Sequence, residues 1–271
     1  MSAQSRTEVR QLLERHGVSP RKALGQHFLA DPNITAKIVA TAGVGPSDRV
    51  VEIGPGTGTL TVALAESGAT VVAFEVDEGL RGLLDEVTRP FPGVEVRFAD
   101  ATRIDLSEEL AGDYWVLVAN LPYNVGTPLL LDVARHVPKV KRMVVMVQLE
   151  VGRRLAADPG GKEYGLPSVV AQIHGRVRVA FTVPPQVFVP PPQVGSAVVV
   201  LDRIPAGPEA EAAVELAAAG FGQRRKMLRR SLVGLVPDAE ELLTSADIDP
   251  SSRAEELTPT DYLRLARVWR G

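Results

Sequence analysis

The chain has 271 residues, 45% of them hydrophobic, and a net charge of −3, which allows one large or two ordinary domains around a substantial core. It has no cysteine, which excludes disulfides and thiolate metal sites, and its four histidines (His16, His27, His136 and His174) lack ligand spacing, so no metal is expected. No run of about 18 uncharged apolar residues occurs, and Met1 to Arg10 is polar without the apolar stretch of a signal peptide, so a soluble, cytoplasmic, monomeric protein with no membrane partner is expected.

Taken in chain order, residues 6–16 carry Val9, Leu12 and Leu13 at helical spacing. The segment Lys22 to Leu29 is mixed, and Asp31-Pro32 then starts a helix to about Gly43, with Asp as the cap and Pro at the first helical position. Strands are predicted at Arg49–Ile53, Thr70–Glu75, Val94–Ala99, Trp115–Ala119 and Met143–Gln148. A helix from Asp77 to about Val87 separates the second and third, and Thr127-Pro128 starts another after the fourth. Helices alternating with short apolar strands imply a doubly covered parallel sheet. After Gly175 the pattern changes to two strands, Arg176–Val183 and Ser196–Arg203, around a proline-rich loop, Pro184 to Pro192. An antiparallel hairpin at the sheet edge would complete a seven-stranded mixed sheet in an α/β, Rossmann-like fold. The stretch from Ile204 to Pro208 reads as a linker, and helices are predicted at Glu209–Ala219, Arg224–Val236, Asp238–Ser245 and Pro259–Arg270. The expected domains are therefore residues 1–203 and a small helical domain of residues 204–271.

The first strand runs into Gly54-Pro55-Gly56-Thr57-Gly58 and then into a helix. Glycines there permit positive φ and close approach of a ligand to the backbone, and the helix N-terminus offers free N–H groups. The spacing is G-x-G-x-G rather than the dinucleotide G-x-G-x-x-G. Glu52, two residues before the loop, would repel a pyrophosphate but suits a cation. S-adenosylmethionine, with its sulfonium and ammonium, fits better than NAD, and a glycine-rich turn without a ligand is the plain alternative.

Glu75 ends the second strand about twenty residues past the loop, where an acid accepts hydrogen bonds from ribose hydroxyls. Asp100 follows the third strand and could accept from an adenine amino group. Asn120-Leu121-Pro122-Tyr123 follows the fourth strand and so projects toward the same pocket. The Asn120 side-chain oxygen and a backbone carbonyl stiffened by Pro122 can both accept from an exocyclic amino group, directing the nitrogen lone pair at an incoming methyl. Tyr123 offers a flat face for stacking a base.

Charge is unevenly placed. Residues 48–113 hold fourteen acids against five arginines, whereas Gln223 to Arg230 holds five cations and no acid. Arg224, Arg225, Lys226 and Arg229 are candidate nucleic-acid contacts, which the resemblance described next makes RNA contacts, with Lys139, Lys141, Arg142, Arg153 and Arg154 a second basic region. A solvated helix face is the alternative for either run.

Five segments in order resemble the ribosomal RNA adenine N6-dimethyltransferase family: Gly25-Gln26-His27-Phe28-Leu29, Glu52 to Gly58, Asn120 to Asn124, Val183 to Val199 with Phe188, and Phe221 with Gln223 to Lys226. The resemblance covers almost the whole chain. It implies S-adenosylmethionine as cofactor and dimethylation of two adjacent adenosines in the 3′-terminal hairpin of 16S rRNA within the small ribosomal subunit. It places His27 and Leu29 at the methionine end, Gly54 and Gly56 on the loop, Glu75 at the ribose, Asp100 at the adenine and Asn120 at both cofactor and target. Tyr123 and Phe188 would sandwich a flipped adenine, which costs less in a loop than in a duplex. Members usually carry Ser where this chain has Gly126. The alternatives are the related large-subunit rRNA methyltransferases of macrolide resistance, a non-catalytic ribosome assembly factor and, more distantly, an NAD-dependent oxidoreductase.

Overall fold

The computed structural model describes residues 4–123 and 125–271. Strands are numbered β1 (Phe28–Leu29), β2 (Arg49–Ile53), β3 (Thr70–Glu75), β4 (Val94–Phe98), β5 (Trp115–Asn120), β6 (Val140–Gln148), β7 (Gly175–Val183), β8 (Phe188–Val189) and β9 (Ser196–Arg203). Seven form one mixed sheet in the order β4-β3-β2-β5-β6-β9-β7, and β1 and β8 form a separate two-stranded ribbon. β2 to β6 run parallel, and β9 returns antiparallel beside β6. Val50, Val71, Val116 and Val144 pack with Ile38 and Leu60 of the neighbouring helices, burying the β-branched runs as a parallel sheet requires.

The order of strands places the loops after β2, β3, β4 and β5 at one edge of the sheet. β2 and β5 are neighbours although far apart in sequence, so the chain reverses direction of growth beside β2, which opens a crevice at the carboxyl ends. Asp31 caps the helix Pro32–Ala42 by accepting from the N–H groups of Asn33 and Ile34, and Gly43 ends it at φ 65°.

Local details differ from expectation. The helix after β5 is Gly126–His136, not one capped by Thr127, because Gly126 N donates to Pro122 O at 2.8 Å and winds the loop directly into the helix. A Cβ built on Gly126 would lie 3.0 Å from the Leu121 Cβ, so the serine usual in the family would need Leu121 to yield slightly. The expected helix Arg224–Val236 shrinks to Leu228–Ser231. Met227 bridges Arg253 and Leu228 N donates to Ser252 O, pulling that backbone out of helix and leaving Arg224 to Lys226 on a turn. The helices Leu106–Glu109, Leu149–Leu155 and Leu166–His174 were not foreseen.

Two compact units result. One comprises the chain to Gly152 together with Val179–Asp202; the other comprises Arg153–Arg178 and Arg203–Gly271. The second unit thus joins the segment Arg153–Arg178 to the chain from Arg203 onward, rather than being one continuous stretch. The helix Leu166–His174 packs on Ala210–Gly222 and on Pro259–Arg270, and Phe221 meets Tyr164 edge-on at 6.1 Å. The apolar face of that segment, Val169, Val170 and Ile173, thus finds its cover from residues distant in sequence.

Candidate active site

The first unit holds a pocket at the carboxyl ends of β2 to β5. It is lined by Glu52 within β2 and Gly54 and Gly56 after it, Glu75 at the end of β3 and Val76 after it, Asp100 to Thr102 beyond β4, Asn120 at the end of β5 and Leu121 to Tyr123 after it, and the amino-terminal strap Leu24 to Leu29. Every residue predicted for the cofactor and for the Asn120–Tyr123 loop therefore meets in one place. Asn124 lies outside the described residues.

The glycine loop depends on left-handed backbone, with φ of 58° at Gly56 and 76° at Gly58. A Cβ at Gly56 would lie 2.8 Å from Phe28 Cδ1, so the strap seats directly on the loop, and one at Gly58 would lie 2.7 Å from Val87 Cγ2. The loop is also tied to β3: Gly56 N donates to Glu75 Oε2 at 3.1 Å, while Asp77 N donates to Glu75 Oε1 at 2.9 Å. Burial raises the Glu75 carboxyl above its ordinary value, and these two backbone bonds oppose the rise. Asp100 is the contrasting acid: it accepts from the Thr102 hydroxyl at 2.6 Å and backbone at 3.0 Å, and these bonds hold its carboxyl below the usual range.

Glu52 is wholly buried and lines the pocket, yet its Oε2 has no hydrogen-bond partner among the described residues. Burial, with the nearby Glu75 charge added, pushes its carboxyl up to about 8. A buried carboxyl oxygen without a hydrogen-bond partner is costly, and a ligand that brings positive charge or a donor to it relieves that cost. The cradle of positive-φ glycines, the acid ending β3 and this unpartnered acid together fit S-adenosylmethionine.

The strap is anchored at several points. Gln26 Nε2 donates to Asp77 Oδ2 at 2.8 Å, Arg21 pairs with Asp77 at 2.8 Å, and Ala30 N donates to Val187 O at 2.8 Å. Phe28 and Leu29 pair with Val189 and Phe188 in the β1–β8 ribbon. His27 Nδ1 donates to Pro190 O at 2.8 Å, and its ring stacks on Tyr123 with centroids 5.7 Å apart and planes at 29°.

Asn120 Nδ2 donates to His27 O at 3.0 Å. A carbonyl only accepts, so this contact fixes which way the amide faces and leaves Oδ1 as the acceptor at the other end. Leu121 contributes backbone rather than side chain: its side chain is buried, and its N donates to Met146 O at 3.1 Å. The Tyr123 hydroxyl is 2.7 Å from Ser196 Oγ, and burial raises the phenol above its ordinary value, which keeps it neutral.

Phe188 departs from expectation. It is 0% exposed, packed in the core with Ile38 and Leu60, and is not among the described residues that line the pocket. The surrounding core encloses its side chain, so no face is open to stack on a base, and the expected Tyr123–Phe188 sandwich is not formed. Val76, 50% exposed beside Glu75 in the pocket, was missed. An apolar residue left open next to a strand-end acid was the available signal.

In the second unit Arg224 pairs with Glu255 and Arg229 with Glu240, while Arg225 and Lys226 are exposed and make no ion pair among the described residues. Among the described residues no group of His, Asp or Glu could hold a metal, and no helix is long and apolar enough to cross a membrane.

The family model of ribosomal RNA adenine dimethylases matches residues 17–270. The chain is 46% identical over 272 residues to a protein of Phenylobacterium zucineum named ribosomal RNA small subunit methyltransferase A, covering 99% of this chain and 95% of that protein. It is 43% identical over 274 residues to the protein of the same name from Corynebacterium glutamicum, covering 96% and 93%. Among solved structures it resembles a dimethyladenosine transferase from Plasmodium falciparum, with a TM-score of 0.74 and 26% identity over 88% of this chain and 96% of that one. It also resembles the 23S rRNA methyltransferase ErmE, with a TM-score of 0.71 and 26% identity over 90% and 100%. On the match of nearly its full length, and on relatives well above 40% identity, the chain belongs to the ribosomal RNA adenine dimethylase family.

Proposed function

We propose that this chain uses S-adenosylmethionine to dimethylate N6 of two adjacent adenosines in the 3′-terminal hairpin of 16S rRNA, acting as a monomer on the assembling small subunit in the cytoplasm. Relatives named for the small subunit stand at 43–46% identity, against 26% for ErmE, and this supports the small-subunit substrate over the large-subunit one.

The cofactor, when bound, supplies a methyl group on a positively charged sulfur. Around it, Glu75 takes the ribose hydroxyls and Asp100 the adenine amino group. Gly54 and Gly56 let the backbone come close, and His27 and Leu29 close the methionine end. Asn120 Oδ1 and the Leu121 carbonyl accept the two hydrogens of the target amino group, so its lone pair points at the methyl. Pro122 holds that carbonyl still, and Tyr123 stacks on the base. No strong base is needed, because the amino nitrogen becomes acidic once alkylated. Alignment of two bound partners carries most of the rate. Arg225 and Lys226 hold RNA phosphates.

The observation that carries this reading is Asn120, whose amide is already turned by His27 so that its oxygen is the available acceptor beside the cofactor pocket. The test is methylation of undermethylated small subunits with labelled cofactor, followed by mapping of the labelled nucleotide. Label in the two adjacent adenosines is expected, and small subunits left unlabelled at those two positions would overturn the proposal. Asn120→Ala should slow single-turnover transfer by about 100-fold or more at saturating cofactor and RNA.

A further inference from the structure

We propose that Ser196 is a positioning residue for methyl transfer, fixing with His27 the plane of the Tyr123 ring before RNA arrives. The inference rests on the reading of Tyr123 as the stacking face for the target base, and it adds a residue that lies 73 positions away in sequence.

Ser196 is the first residue of β9, wholly buried, and opposite Gln148 in the β6–β9 register. Because β9 runs antiparallel, its beginning lies at the same edge as the ends of β5 and β6, where Asn120 and Tyr123 emerge. Leu149 N donates to Gly195 O at 2.9 Å and secures the residue just before Ser196. Ser196 Oγ is therefore a fixed point on the sheet, 2.7 Å from the Tyr123 hydroxyl. If the ring swung away, a buried serine hydroxyl would lose its partner, which opposes the motion.

The second point of the clamp is His27. Its ring rests against Tyr123 and is itself held by Pro190 O, while its own carbonyl orients the Asn120 amide. One anchor acts at the tip of the Tyr123 ring and the other on its face. Together they leave the ring little freedom about either side-chain torsion. The same strap residue thus sets both the acceptor and the stacking face of the target site. A stacking surface that is already oriented loses no binding energy to being ordered, and the target nitrogen is delivered in line with the methyl.

The experiment is a double-mutant cycle of Ser196→Ala, Tyr123→Phe and the double variant, with Tyr123→Ala alongside. Each is assayed for single-turnover methylation of small subunits at saturating RNA and cofactor. Calorimetric titration with S-adenosylmethionine and thermal melts accompany each variant. Ser196→Ala and Tyr123→Phe should each slow transfer by about three- to ten-fold, the equivalent of one neutral hydrogen bond. The double variant should be no slower than either single one, and cofactor affinity should be unchanged throughout. Equal losses from Ser196→Ala in the Tyr and Phe backgrounds would mean that Ser196 acts only through packing, and the proposal would be overturned. Wild-type rates in both single variants, with a slow Tyr123→Ala, would overturn the clamp and leave the stacking role standing. A wild-type rate in Tyr123→Ala would overturn the stacking role itself.

Discussion

At the scale of the residue, the two most informative side chains are polar groups held in specific states. Glu52 keeps its proton up to about 8 in the folded chain, against an ordinary value of 4.5. The unfolded chain releases that proton near 4.5, so stability falls as pH rises from there to about 8 and levels off above. Glu52→Gln should remove this slope and melt higher than wild type at pH 8, with little difference at pH 5. Parallel melting curves for the two proteins across that range would refute the assignment. Asn120 shows why its nearest isostere is not conservative. Asn120→Asp has no donor for His27 O and sets a carboxylate against that carbonyl. It should therefore lose activity at least as fully as Asn120→Ala, measured as single-turnover rate, even though an acceptor oxygen is kept. Near wild-type turnover by Asn120→Asp would mean that the His27 contact does not orient the amide.

At the scale of the element, the glycine loop and the basic turn work by different physics. Gly56→Ala combines a left-handed φ of 58° with a Cβ 2.8 Å from a buried Phe28 carbon, whereas Gly43→Ala has a φ of 65° and only Arg142 Nη1 at 3.7 Å. Each substitution should cost about 1–2 kcal/mol in backbone strain. Only Gly56→Ala should also displace the strap, giving a lower melting temperature than Gly43→Ala and weaker S-adenosylmethionine binding. Equal effects in calorimetry would show that the strap does not seat on the loop. On the basic turn, Arg225 and Lys226 are free of ion pairs among the described residues, while Arg224 and Arg229 are paired with acids. Converting Arg225 and Lys226 to Gln should flatten the log–log salt dependence of small-subunit binding by about 0.7–0.9 for each phosphate no longer neutralised. Arg224→Gln should act more weakly on the slope because it also frees Glu255. An unchanged slope in the Arg225/Lys226 variant would make the run a solvated surface.

At the scale of the whole molecule, the chain is not two consecutive blocks. Residues 153–178 leave the sheet-bearing unit and belong with the helices after residue 203. A fragment of residues 1–203 would carry the helix Leu166–His174 without Ala210–Gly222 and Pro259–Arg270, exposing Val169, Val170 and Ile173. It should aggregate or melt without cooperativity. A soluble, cooperatively melting 1–203 fragment would restore the simple boundary at 204. Among the described residues the pocket is lined by residues between 24 and 129, all of the first unit.

The amino-acid sequence by itself determined the parallel strands, because β-branched runs such as Arg49–Ile53 and Thr70–Glu75 bury on both faces and punctuate themselves with glycine and acidic ends. It also determined that the glycine loop and the Asn120–Tyr123 loop meet, since residues placed at the carboxyl ends of neighbouring parallel strands converge whatever the side chains between them. The tertiary structure alone decided the rest. Phe188 looks like an open aromatic in a proline-rich loop, and only its place in the core with Ile38, Leu60 and Leu29 buries it. Arg224 to Val236 has a helical composition, and only the bridge from Met227 to Arg253 breaks it. Ser196 meets Tyr123, and His27 turns Asn120, across separations of 73 and 93 residues. Local propensity carries no information about partners that far apart, because those contacts exist only once the sheet order and the direction of β9 have brought the segments to one edge.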